Sequence, residues 1–263
     1  MNILLFLCIN CCAKYDDGRK NELKKPLLAW RFMAFLLFLS LIFAILFGVA
    51  EKTRRKTELD VLNNTPVPLP HTIILDAGHG GEDGGASSAD GLLEKDLNLA
   101  LALAMRDILA ANGVKVILTR DTDTLLYDKN VDFHGRKKML DMTARLKIAE
   151  DSPDAVFVSL HMNTYPHPSC RGVQVWYSEN NSSSNDLAKS IHQTTQEILQ
   201  PENDRPVKRS GSSIYLLHHL ECPAVLVECG FLSSPEEAAL LGDESYRQQL
   251  ALTLCMGILR GIE

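Results

Sequence analysis

The sequence predicts an α/β fold. One three-layer domain spans residues 71–263, with a mostly parallel, twisted sheet flanked by helices, and one transmembrane helix precedes it. Three observations carry this expectation. From residue 71 onward, short apolar runs alternate with stretches of helical length. Those runs lack the in–out alternation of a sheet with one wet face, which fits strands covered on both sides. Upstream, residues 32–50 are nineteen consecutive positions without a charge.

The chain begins with a segment, 1–31, expected to be cytoplasmic. As a helix, residues 32–50 would extend about 28 Å, close to the ~30 Å hydrocarbon core of a bilayer. A cleaved signal peptide would have a shorter apolar region, about 7–15 residues, with a small-residue exit. A buried soluble helix would show a polar stripe. Six cations precede the span (Lys14, Arg19, Lys20, Lys24, Lys25, Arg31) and four follow it (Lys52, Arg54, Arg55, Lys56), which favours an N-terminus inside and a C-terminal domain outside. Residues 1–12, apolar and cysteine-rich, are too short to span and are assigned nothing. Residues 51–70 are charged and then dotted by Pro66, Pro68 and Pro70, which reads as a stalk.

Within 71–263, strands are expected at 72–76, 114–119, 155–160, 173–177 and 224–228, with a short one at 214–217. Helices are expected at 94–112, ended by Gly113, and at 136–150, 185–199 and 245–259; Asp186 sits near the dipole-favoured start of the third. No internal repeat interrupts the series.

Residues 57–263 hold 17 Lys/Arg against 29 Asp/Glu, a net charge of −12. Nucleic acid is therefore not an expected partner, since phosphate contacts dominate that affinity. Seven cysteines (Cys8, Cys11, Cys12, Cys170, Cys222, Cys229, Cys255) include no C-x-x-C pair in the domain, which excludes a thiolate zinc knuckle there. One disulfide and free buried thiols fit the last four equally well. No G-x-x-x-x-G-K-[ST] phosphate loop is present.

Three phrases carry chemistry: Asp76-Ala77-Gly78-His79-Gly80-Gly81, Ser159-Leu160-His161-Met162-Asn163 and Val227-Glu228-Cys229-Gly230-Phe231. Each follows an apolar run, so His79, His161 and Glu228 are expected at the carboxyl edge of the sheet, where ligands of open α/β sheets gather. Taken singly, His79 reads more readily as a loop residue than as a ligand, and His161 as readily as a satisfied core histidine. Glu228 is more pointed, because a carboxylate closing an apolar strand is costly unless paired or coordinated. Together, two imidazoles and a carboxylate make the ligand set of an open catalytic zinc site, and a further carboxylate can serve as acid and base.

The sequence resembles the zinc-dependent N-acetylmuramoyl-L-alanine amidases, whose core reads DPGHGG, G-x-x-EK, TR-x-x-D, S-[IL]-H-x-N and E-x-GF. The chain has 76–81, Gly91-Leu92-Leu93-Glu94-Lys95, Thr119-Arg120-Asp121-Thr122-Asp123, 159–163 and 228–231 in that order, with Arg145, Arg171-Gly172 and 223–227 as further matches. Ala77, Met162 and Cys229 depart from the usual residues without removing a chemical group; Cys229 is expected to be a small buried hydrophobe. Arg136-Lys137-Lys138 with Arg145, and the anchored single-domain layout, are most similar to the spore-cortex, germination-specific amidases.

The resemblance implies a phosphorylase/hydrolase-like fold, with a zinc ion held by His79, Glu94 and His161, and Glu228 as the general base. Without it, Glu94 reads equally as a helix N-terminal carboxylate favoured by the dipole. Zinc would polarise the lactyl amide and acidify a water. Glu228 would take the water proton and return it to the alanine nitrogen. The implied substrate is a peptidoglycan glycan strand with its stem peptide, cut between muramic acid and L-alanine outside the cytoplasm. The implied role is muramic δ-lactam formation during cortex maturation. An activator protein is left open. A zinc carboxypeptidase on stem peptides and a catalytically silent wall-binding protein are the alternatives. His71, His134, His167, His192, His218 and His219 match no family position.

Overall fold

The computed structural model describes residues 24–63, 72–128, 130, 134–165, 167 and 170–262. Contacts divide the chain into two units, Met1–Val67 and Pro68–Glu263.

The first unit contains α1 (Lys24–Asn63), a helix of 40 residues. It covers 32–50 and continues through 51–63, the first part of the expected stalk. That stretch is rich in helix-forming charged residues and meets no proline before Pro66. The rest of the stalk, 64–70, His71 and residues 1–12 lie outside the described residues. The apolar side chains from Met33 to Val49 are exposed. Among the described residues, no helix is long and apolar enough to cross a membrane. Phe32 and Ala50, the ends of the expected span, are outside the described side chains.

The second unit runs β1 (Thr72–Ala77), α2 (Glu94–Ala111), β2 (Lys115–Leu118), α3 (Lys137–Glu150), β3 (Val156–Asn163), β4 (Gln174–Tyr177), α4 (Ser183–Ile198), β5 (Lys208–Arg209), α5 (Tyr215–His219), β6 (Ala224–Phe231), α6 (Pro235–Gly242) and α7 (Glu244–Gly261). The strands form one mixed sheet in the order β2-β1-β3-β6-β4-β5, parallel throughout except where β4 runs against β6.

Successive strand residues point to opposite faces. Ile73, Leu75, Val158, Leu160, Val225 and Val227 pack with Leu101 of α2, Ile191 of α4 and Leu254 of α7. Ile74, Phe157, Ala224 and Leu226 pack on the other side with Ala149 of α3 and Leu216 and Leu217 of α5. Helices thus cover both faces, and all three layers are present.

Five elements differ from expectation. Residues 214–217 do not form a strand: 215–219 are the short helix α5, with His218 N–H donating to Ile214 O at 3.0 Å. A four-residue apolar run has no period that separates strand from helix. The two-residue β5 and α6 are additions; α6 is capped by the Ser234 side chain, which accepts from Glu237 N–H, and has Pro235 at its start. Finally, β3 and β6 run three residues past their expected ends.

Candidate active site

The extension of β3 and β6 changes where the chemistry sits. His161 and Glu228 are not beyond the strands but inside them, as direct cross-strand partners, and a register shift follows between His161 and Asn163. The pleat decides their direction. Ser159 and His161 share the side of Phe157, Glu228 that of Leu226, and Asp76 that of Ile74, so all face the α3 and α5 layer. There a cleft of about 690 Å³ opens, lined by His79, Asp83, His161 and Glu228 together with Arg136 and Tyr215.

Glu94 reaches this place from the first turn of α2. Its Oε1 accepts from Met162 N–H at 2.9 Å, and its Oε2 from Ala86 N–H at 2.7 Å. The same Oε1 lies 2.9 Å from His161 Nδ1 and 3.3 Å from His79 Nε2. One donor atom from each of His79, Glu94 and His161 falls within 4.8 Å of the others.

Two glycines make this convergence possible. A Cβ on Gly78 would stand 2.4 Å from the His161 ring, and one on Gly85 would stand 2.6 Å from Glu94 Oε2 and 2.7 Å from His79 Cδ2. Both approaches are far inside van der Waals contact. The glycines of this segment therefore admit the three chemical side chains to one another.

Burial alone would push the Glu94 carboxyl up, but the hydrogen bonds and charges of His161 and His79 hold it well below the carboxylate range. Burial also opposes protonation of His79, yet Glu94 and Asp83 outweigh it and raise its pKa. Glu228 is the opposite case: burial, helped by the negative charge of Glu94, pushes its carboxyl up to about 7 against the pull of His161 and His79. Its Oε2 is buried and has no hydrogen-bond partner among the described residues.

The cluster therefore suits a metal dication. It offers two imidazoles and a carboxylate locked by backbone N–H groups, with a second, uncommitted carboxylate beside them. Sequence reasoning missed Asp83, whose Oδ2 lies 3.0 Å from His79 Nδ1; the available signal was its i+4 spacing from His79. Cys229 is buried with its thiol pushed up by burial and the Glu228 charge, and it stands outside the donor cluster. The described domain cysteines are all free. His218 and His219 lie exposed on α5.

Comparison with known proteins agrees with this geometry. The N-acetylmuramoyl-L-alanine amidase family profile matches residues 73–260. The germination-specific N-acetylmuramoyl-L-alanine amidase of Bacillus subtilis is 38% identical over 195 residues, 74% of this chain and 81% of that one. The CwlD amidase of Clostridioides difficile, solved in complex with the GerS lipoprotein, is 38% identical with a TM-score of 0.69, covering 73% of this chain and 98% of that one. The AmiC2 amidase of Nostoc punctiforme is 31% identical with a TM-score of 0.60, over 72% and 96%. A match across the whole sheet and every helix that packs on it settles the matter: the chain belongs to the N-acetylmuramoyl-L-alanine amidase family and is a peptidoglycan amidase.

Proposed function

We propose that the amidase is zinc-dependent, with His79, Glu94 and His161 as the metal ligands and Glu228 as the general base. One observation carries the reading: a His–Glu–His donor cluster within 4.8 Å lies beside a buried carboxylate whose Oε2 has no hydrogen-bond partner among the described residues. Zinc, when bound, supplies Lewis acidity to the amide carbonyl and to a water. The chain does the rest. Glu94 stays ionised because two backbone N–H groups and two imidazoles face it. Glu228, buried and with an Oε2 that has no hydrogen-bond partner among the described residues, is placed to accept and release a proton. It takes the proton of the attacking water at a carboxylate oxygen and delivers it to the alanine nitrogen as the C–N bond breaks. Family membership sets aside the carboxypeptidase and the silent wall-binding alternatives.

A cortex role, with muramic δ-lactam formation, is supported by similarity to the germination-specific relative. Attachment to a membrane, with the domain outside the cytoplasm, is supported by the charge-free stretch 32–50 and by the excess of cations before it. A lipoprotein partner is supported by the related solved complex. The test is chelation. Stripped protein should release no stem peptides beginning with L-alanine from purified peptidoglycan, and zinc alone should restore release, read by mass spectrometry. Full activity in the stripped protein would refute the metal role.

A further inference from the structure

Thr119, Arg120, Asp123, Lys95 and Arg145 recur in the motifs of the chain, yet none enters the chemistry above. Their contacts converge on one object, the turn that carries His79. Every backbone carbonyl from residue 77 to 81 is held. Ala77 O accepts from Arg120 Nε at 2.9 Å and from Arg145 Nη1 at 2.8 Å. Gly78 O accepts from Asn98 Nδ2 and Arg120 Nη2, both at 3.1 Å. His79 O accepts from Arg145 Nη2 at 2.7 Å, Gly80 O from Asp83 N–H at 3.0 Å, and Gly81 O from Lys95 Nζ at 2.8 Å.

The donors are braced in turn. Arg145 is paired with Asp76 at 2.5 Å and Asp141 at 2.8 Å, and Asp76 also accepts from Thr119 Oγ1 at 2.8 Å and Ser159 Oγ at 2.6 Å. Asp123 holds Lys95 at 2.6 Å and accepts from Gly81 N–H at 2.7 Å. Arg145, Arg120 and Asn98 are 1%, 3% and 0% exposed.

A glycine turn beyond a strand could leave its carbonyls to water. Burying two guanidinium groups to hold them is a large desolvation cost, which stability alone does not call for. His79 supplies the reason. Its φ is +61°, in the left-handed region, where a non-glycine residue costs about 1–2 kcal/mol. Such a conformation persists only where its surroundings over-determine it.

We infer that Arg120, Arg145 and Asn98 are positioning residues for metal binding: they clamp the carbonyls of residues 77–79 so that the His79 ring is held against Glu94 and His161. The inference rests on the zinc reading above. It makes the T-R-x-x-D motif a second layer of the metal site, acting through the main chain.

Asn98 gives the sharpest test. Its Nδ2 donates to Gly78 O, beside Arg120 Nη2, while its buried Oδ1 has no hydrogen-bond partner among the described residues. Asn98→Leu therefore removes a clamp and an unsatisfied acceptor together, so the melting temperature should hold or rise. Zinc affinity, from chelator-competition titration of the full chain, should fall about tenfold. Arg145→Lys keeps the charge but loses the fork, and should weaken zinc about a hundredfold. If Arg145→Lys fails to fold, Asn98→Leu and Arg120→Lys decide. Folded variants with wild-type zinc affinity would overturn the clamp. A wild-type chain that takes up no zinc would instead overturn the metal reading itself.

Discussion

His79 and His161 meet with ring centroids 5.0 Å apart because the backbone between the elements that carry them has no side chain at Gly78. Adding one methyl there gives a direct prediction. Gly78→Ala places a Cβ 2.4 Å from the His161 ring, which must swing away from Glu94. Metal analysis should find zinc content falling towards zero while far-UV circular dichroism stays native, and wild-type stoichiometry would contradict this. At this scale the sequence was informative where chemistry conflicted with its surroundings. Glu228 stood out because a carboxylate does not belong at the end of Ala224-Val225-Leu226-Val227 without a task. Glu94 did not stand out, because an acid in the first turn of a helix is ordinary. Asn98 gave no signal at all: its value lies in one bond to a carbonyl twenty positions away, which no local pattern encodes.

Between elements, the Asp76–Arg145 pair ties the end of β1 to α3. Burial would raise the Asp76 carboxyl, but Arg145, then Ser159 and the His161 charge, lower it further than burial raises it. Its folded pKa thus lies below the unfolded value of about 3.9. A depressed carboxyl stabilises fully above the unfolded value and loses that contribution as pH falls through the folded one. Asp76→Asn should therefore be less stable at neutral pH by about 1–3 kcal/mol, since it removes one of the two carboxylates that face buried Arg145 and leaves Asp141 as the other. It should also show a shallower loss of stability below about pH 4. Urea unfolding across pH 2–7 measures both, and an unchanged acid limb would contradict the pairing. The larger elements were legible because buried parallel strands and the helices between them have distinct lengths and punctuation, such as Gly113 after α2. α5 was not, because Leu216 and Leu217 are buried by a short helix as completely as by a strand. The Ser234-Pro235 signal for α6 was present and local, and its cap is formed as such signals dictate.

At the scale of the molecule, the chain pairs an apolar helical segment with an acidic enzyme domain of net charge −10 over 71–263. The attachment proposed for residues 32–50 predicts that the full chain sediments with membranes and needs detergent for release, whereas 68–263 alone stays in solution. Release of the full chain by salt washing would count against the anchor. In the enzyme domain the sheet does more than carry side chains. The parallel register of β3 and β6 puts His161 opposite Glu228, the start of α2 brings Glu94 under both histidines, and the clamp on residues 77–79 completes the site.

Two glutamates divide the labour of the proposed site, one holding the metal and one moving the proton. Glu228→Gln tests this division most directly, with zinc content and stem-peptide release measured on the same preparation. Zinc should equal wild type and turnover should fall by about 10²–10⁴-fold, the range of a lost general acid–base. Turnover near wild type, or loss of zinc along with activity, would contradict it.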